Sequence, residues 1–302
     1  MSDLKQDKLW VEKTLADLLP GSPENRLDDF NGQSIFDAPV VGVADGADRI
    51  FSRLLTAVSS RHLMPADFLR RNSPSGSDVG CVRVIVWALP FTPEVRASNR
   101  GVNWPSKFYS LARNNGGALI HNTSIRFADL LREQGWAAAV PAASEEYDAF
   151  RSPKYTFAST WSERHAAYAA GLGQFGLSGA LLTPVGSNVR FGSVVTNLPV
   201  QPTVRTYDTH RAPCHESGGK ICGRCIGRCP VGAISSGGMD KSKCYEMRKA
   251  IRDRFMDRYL HEMKMLSSPV TKSGRRSPDY SLGCALCQCG VPCEGQRPQL
   301  PG

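Results

Sequence analysis

The chain has 302 residues, 41% of them hydrophobic and 22% charged, enough apolar material for one large core or two smaller ones, which excludes a disordered or fibrous chain. The longest apolar runs, 84–89 and 136–141, fall far short of the roughly 20 residues a membrane helix needs, so no bilayer span is expected. The net charge of +9 is uneven, with 16 Lys+Arg against 9 Asp+Glu in residues 206–302. Taken bare, such a basic third suits a nucleic-acid or acidic-protein partner.

The first twenty residues mix charges and hold no apolar signal core, twin arginine or small-residue cleavage site, the pattern of a soluble cytoplasmic protein. Leu4, Leu9, Val11, Leu15, Leu18 and Leu19 recur at helical spacing, with Asp3 as a candidate cap and Pro20-Gly21 as the stop. A short strand over 40–43 and a helix carrying Ile50, Phe51, Leu54, Leu55 and Val58 follow. Residues 81–90, rich in β-branched side chains and stopped by Pro90, read as a buried strand opened by Cys81, a small core residue, and followed by a surface loop. From Lys107 a helical stretch broken at Gly116-Gly117 runs to Gly135, where a strand begins at Trp136. Ser162 is a candidate cap for a helix over 163–170, and strands are expected at 180–183 and 189–196. The order is α+β. A first domain over 1–205 is expected, followed by a second over 206–302 with one long charged helix at 241–266.

Nine of the ten cysteines crowd into the second domain, an arrangement that speaks for a metal site over a disulfide framework in a chain long enough to build its own core. Cys222-Gly-Arg-Cys225-Ile-Gly-Arg-Cys229-Pro230 reproduces the last three ligands of a bacterial two-cluster ferredoxin motif, in which the cysteine before proline serves the other cluster. Gly219 stands where that motif has its first cysteine, leaving Cys214 as the upstream candidate across a His-Glu-Ser-Gly-Gly-Lys-Ile insert. The second group reads Cys284-Ala-Leu-Cys287-Gln-Cys289-Gly-Val-Pro-Cys293. Crossed ligation assigns Cys214, Cys222, Cys225 and Cys293 to one 4Fe-4S cluster and Cys229, Cys244, Cys284 and Cys287 to another. Either Cys289 or Cys293 is the spare thiol, and the rigid turn at Pro292 favours Cys293 as ligand. Paired C-x2-C knuckles also hold zinc, but the Cys-Pro-Val-Gly-Ala-Ile segment favours iron-sulfur chemistry. Two oxidised clusters with their thiolates add roughly −2 each, which brings the basic third down to about +3.

The segment Ser162-Glu163-Arg164-His165-Ala-Ala-Tyr-Ala-Ala-Gly171-Leu-Gly173-Gln-Phe-Gly176, continued through 181–194, resembles the epoxyqueuosine reductase family, as does the Cys222 to Cys293 module. The resemblance runs over roughly 40–292. It implies a nitroreductase-like domain that holds cobalamin, fused to a two-cluster ferredoxin domain, an architecture shared with reductive dehalogenases. It also implies electron flow through the clusters to cobalt, reduction of a modified tRNA nucleoside, and a cofactor-admitting loop at Gly171, Gly173 and Gly176. A glycine-rich helix C-cap looks the same in sequence. Gly-x-Gly-x-x-Gly here follows a helix, not a strand, so a nicotinamide-binding turn is not expected.

Two departures separate this chain from the tRNA enzymes. Their acidic proton donor lies six residues before the Glu-Arg pair, where this chain has Phe157, and the displaced Cys214 and Val-Pro-Cys ending differ from their compact spacing. The expectation is an iron-sulfur oxidoreductase on a divergent branch, passing electrons to a cofactor such as cobalamin or to a substrate. Its alternatives are a non-enzymatic electron carrier or assembly factor, and a tRNA-modifying reductase with a relocated acid. Glu163-Arg164 reads as an orienting ion pair and His165 as a satisfied, partly buried histidine. The mixed charges of the long helix, Arg248, Lys249, Arg252, Arg254 and Arg258 among Asp253, Asp257 and Glu262, read as a solvated face. That face is also a candidate dock for an acidic flavodoxin or ferredoxin, or for tRNA.

Overall fold

The computed structural model describes residues 4–19, 21–72, 80–152, 154, 156–212, 214, 222–263 and 282–298. Its helices are α1 (Leu4–Leu18), α2 (Arg49–Ala57), α3 (Pro65–Arg71), α4 (Pro93–Ala97), α5 (Lys107–Glu133), α6 (Glu163–Ala169), α7 (Arg224–Arg228) and α8 (Lys241–Tyr259). The strands are β1 (Arg26–Leu27), β2 (Gln33–Ser34), β3 (Val40–Asp45), β4 (Arg83–Pro90), β5 (Ala138–Ala139), β6 (Ala149–Ser152), β7 (Thr156–Ser159), β8 (Gln174–Phe175), β9 (Leu181–Leu182), β10 (Val189–Thr196), β11 (Ile234–Ser235) and β12 (Gly238–Met239).

A four-stranded antiparallel sheet in the order β3-β4-β10-β5 organises the molecule. Side chains alternate across a strand, and β4 uses both faces. Ile85, Trp87 and Leu89 join the cluster under α1 and α5, whereas Val84, Val86 and Ala88 join the one under α2, α3 and α6. The sheet is therefore sandwiched between helical layers, and β4, buried on both faces, is the near-continuous apolar run seen in the sequence. Mixed helix and sheet agree with the expected α+β class. Among the described residues no helix is long and apolar enough to cross a membrane.

Several expectations are corrected. α5 is one unbroken helix of 27 residues, because Gly116 and Gly117 keep their places in the helical ladder and their missing side chains make room for neighbours. A Cβ on Gly116 would sit 2.6 Å from the Phe36 ring. The strand expected from Trp136 shrinks to β5, and the one at 180–183 becomes β9, which pairs only with β8. The loop after Pro90 contains α4, begun by Thr92 capping the Val95 N–H and by Pro93 in the first turn. α8 ends at Tyr259 in a 3-10 turn over Leu260–Glu262, while the expected extension over 264–266, the Asp3 cap and the 215–221 insert lie outside the described residues. Met247, Ile251 and Phe255 of α8 and Leu282 and Cys289 beyond it belong to the same apolar cluster as α5, so residues on both sides of position 205 share one core.

Candidate functional site

Gly223, in the left-handed region at φ 65°, turns the chain into α7, which carries Cys225 and is capped by Cys229. Cys214, Cys222, Cys225 and Cys293 line one small cavity with Gly176, Leu177 and Pro292. Burial raises Cys225 to about 11, followed by the charges of Cys293, Cys214 and Cys222. Of the second set, Cys244 lies in the first turn of α8. Burial raises Cys284 to about 11, with Cys244 and Cys229 next among the raising charges. Cys287 is driven well above the thiol range by burial, then by Cys284, Cys244, Cys229 and Cys225. The Cys229 thiol accepts the N–H of Ala233 at 3.2 Å.

Cys289 stands with neither group. It is buried, raised to about 12 first by burial and then by Glu294, and its thiol accepts from Asn188 Nδ2 at 2.9 Å. Asn188 Oδ1 in turn accepts from the Tyr109 hydroxyl at 2.6 Å. Cys293 has Ser187 Oγ as its donor at 3.5 Å, and its carbonyl accepts the Ser187 N–H at 2.7 Å. Among the described residues, no three Cys, His, Asp or Glu side chains meet closely enough to hold a single metal ion. Cys81, ahead of β4, bonds the Asn197 carbonyl at 3.4 Å, as a structural thiol would.

Gly171 ends α6 in the left-handed region at φ 76°; its N–H bonds Tyr168 O at 3.1 Å and the Leu172 N–H bonds Ala167 O at 3.0 Å, the two bonds of a Schellman C-cap. Gly173 lies against β9, where a Cβ would stand 2.1 Å from the Leu182 carbonyl oxygen. A Cβ on Gly176 would lie 2.6 Å from Leu182 Cδ1 and 3.5 Å from Cys214 Sγ. Helix ending and close backbone packing thus account for Gly171 and Gly173, while Gly176 is part of the wall of the first thiol group.

Ser162 does not cap α6 through its side chain; its Oγ is hydrogen-bonded to His165 Nδ1 at 2.7 Å. His165 packs on Phe175 and is pushed down to about 3 by burial and then by Arg164, so it is neutral at physiological pH. Glu163 is not paired with Arg164, contrary to expectation. Burial raises it to about 7 against hydrogen bonds from Ser193 and Trp161, and its Oε2 is a buried acceptor without a partner. Arg164 instead donates to Gly179 O at 2.7 Å. Phe157 on β7 packs 4.6 Å from Tyr245 of α8, next to Cys244, with the Arg151 guanidinium over both rings.

Sequence reasoning missed one constellation. After burial, Arg113 of α5 is the largest charge lowering Arg164 of α6, Arg190 of β10 and Arg248 of α8, with Arg248 adding at Arg164 and both Arg164 and Arg248 adding at Arg190, which falls to about 9. Arg164 and Arg248 are exposed, Arg113 and Arg190 half-buried. Cys244 raises both Arg164 and Arg248, with Cys287 adding at the first and Cys284 at the second. The residues span more than a hundred positions without a shared motif, and only the fold brings them together.

No family model matches the chain. Among curated proteins, the epoxyqueuosine reductase of Bacillus cereus is 36% identical over 85 residues. The chain resembles epoxyqueuosine reductases. The matched segment is 28% of this chain and spans about a fifth of the length of the curated epoxyqueuosine reductases it matches. A solved epoxyqueuosine reductase with an epoxyqueuosine-modified tRNA-Tyr stem loop aligns at 16% identity and TM-score 0.48, covering 99% of this chain and 68% of that one. A solved catabolic reductive dehalogenase aligns at 16% identity and TM-score 0.40, covering 80% of this chain and 34% of that one.

Proposed function

We propose that the protein is an iron-sulfur oxidoreductase of epoxyqueuosine reductase-like type, with Cys214, Cys222, Cys225 and Cys293 holding one 4Fe-4S cluster and Cys229, Cys244, Cys284 and Cys287 the other. The observation that carries this reading is one small cavity lined by Cys214, Cys222, Cys225 and Cys293, with Cys289 held apart from it by Asn188. A cubane binds each thiolate at a different iron, so four thiols ringing a space fit it without meeting at one atom. The donor set is soft, and the Ala233 N–H aimed at Cys229 is the kind of contact that tunes a ligating sulfur. Bound clusters supply one-electron transfer. The chain's own part is to hold the thiols at fixed positions and to cover the first group with Leu177, Leu182 and Pro292.

The electron acceptor on this reading is either a cobalamin or a substrate bound directly. Gly171 and Gly173 are taken up by packing, so no step is assigned to a cobalamin there. An acidic flavodoxin or ferredoxin docking on the basic face of α8 would supply the electrons. A cytoplasmic site suits thiol-held clusters. The test is anaerobic purification with iron, sulfide and cobalt analysis. About eight iron and eight sulfide per chain are expected. Stoichiometric zinc without iron would end the reading, and stoichiometric cobalt would identify cobalamin as the acceptor.

A further inference from the structure

We propose that the cleft between the start of α2 and the segment 205–208 binds a mononucleotide, with its phosphate on Arg49 and Arg53 and its base on the ring of Tyr207. The site goes beyond the iron-sulfur reading and does not depend on it, since none of the cysteines lines the cleft.

The cleft has a volume of about 270 Å³ and is open to solvent, with Arg49, Arg53 and Asp208 exposed along it. Its walls are fixed by contacts that the fold makes for itself. Asp48 caps α2 by accepting the Ile50 N–H at 2.9 Å, and its other oxygen pairs with Arg205, which also donates to the Ala169 carbonyl at 2.9 Å. The Tyr207 hydroxyl donates to the Tyr168 carbonyl at 3.3 Å and accepts the Gly173 N–H at 3.1 Å. Thr203 holds the segment leading to Arg205 against β3, the edge strand of the sheet: its hydroxyl accepts the Val43 N–H at 3.0 Å and its N–H bonds the Val43 carbonyl at 2.8 Å.

Asp48 and Arg205 cancel each other, so the charge left over decides the ligand. Arg49 and Arg53 stand four residues apart on α2 and therefore share a face. Among the described residues neither side chain takes part in an ion pair or a hydrogen bond. Like charges at that spacing repel, and an anion between them removes the repulsion. Guanidinium forks match phosphate oxygens, which makes a phosphate monoester the fitting anion. The aromatic wall supplies the second half of the argument. Phe175, Tyr168 and Tyr207 form a run of rings with successive centroids 6.0 and 5.5 Å apart, and no described ring follows Tyr207. A planar base extends that run by stacking. Asp208, with no ion pair among the described residues, accepts hydrogen bonds from hydroxyl or amino groups and repels the phosphate, which leaves the phosphate to the α2 side. The volume lies near the lower bound of roughly 300 Å³ for small-molecule sites, room for one nucleotide and not for two.

The test is calorimetric titration of the anaerobically purified full chain with adenosine monophosphate, and separately with adenosine and with inorganic phosphate. Saturable nucleotide binding that weakens with salt is expected, about tenfold or more tighter than either part alone. Arg49→Gln and Arg53→Gln should each weaken the nucleotide about tenfold, and Arg53→Lys, which keeps the charge and loses the fork, should fall between. Tyr207→Leu should bring the nucleotide down to the affinity of inorganic phosphate. Arg70→Gln, on α3 beside its partner Asp67, should bind like the wild type. Absence of saturable nucleotide binding by the wild type, inorganic phosphate binding as tightly as the nucleotide, or equal weakening by Arg70→Gln would overturn the proposal. An RNA trinucleotide binding more tightly than adenosine monophosphate would also overturn it, by making the cleft part of a longer nucleic-acid surface.

Discussion

A carboxyl raised to about 7 makes Glu163, half-buried at the start of α6, a group that titrates near neutral pH. Its folded value of about 7 lies above the 4.5 of an exposed glutamate, so its contribution to stability is fully present below pH 4.5 and is lost as pH rises through 7. The difference corresponds to at most about 3 kcal/mol. Glu163→Gln should therefore gain on the wild type between pH 4.5 and 8, a gap that urea unfolding at several pH values would measure; parallel curves would contradict it. Phe157 bears on chemistry. A phenyl ring cannot donate the proton that the tRNA enzymes' acid supplies, and general acid assistance is typically worth 10²- to 10⁴-fold. Turnover of epoxyqueuosine-containing tRNA by the reconstituted protein should be very low, with Phe157→Asp the variant to compare. Efficient turnover by the wild type would show that another residue, Glu163 first among them, provides the proton.

At the scale of elements, α7 separates the two thiol groups. Replacing Cys229 with Ser should damage the cluster of the Cys244, Cys284 and Cys287 group, and Cys222→Ser the other, as read by electron paramagnetic resonance of the reduced proteins. Cys289→Ala should retain the iron of the wild type, because the Asn188 contact is structural; half the iron would show it to be a ligand. β3, β4, β10 and most helices were legible because each has a local signature, a β-branched run or an apolar stripe. The unbroken α5 was not, since glycines that stop a helix and glycines that admit a neighbour such as the Phe36 ring look alike in sequence. The β6-β7 hairpin escaped because its half-exposed residues alternate weakly, and the influence of Arg113 on Arg164, Arg190 and Arg248 because these residues share no local pattern.

For the molecule as a whole, the shared core matters most. Met247, Ile251, Phe255 and Leu282 pack with α5, Arg228 bonds the Asn99 and Val102 carbonyls, and Arg100 holds the buried Glu294 through three hydrogen bonds. Expressed alone, residues 1–205 would expose the apolar surface that those later residues cover. Such a fragment should retain helical far-ultraviolet circular dichroism, bind a hydrophobic dye and lack a cooperative thermal transition. A sharp transition like that of the full chain would show that the first part folds independently.

Cys225 and Cys229 stand one turn apart on α7, a rise of about 6 Å along its axis. On the cluster reading, this covalent turn, more than any tertiary contact, sets the gap an electron must tunnel across. Tunnelling weakens steeply with distance, so exchange between the two centres should persist through loosening elsewhere in the chain and fail when α7 itself unwinds.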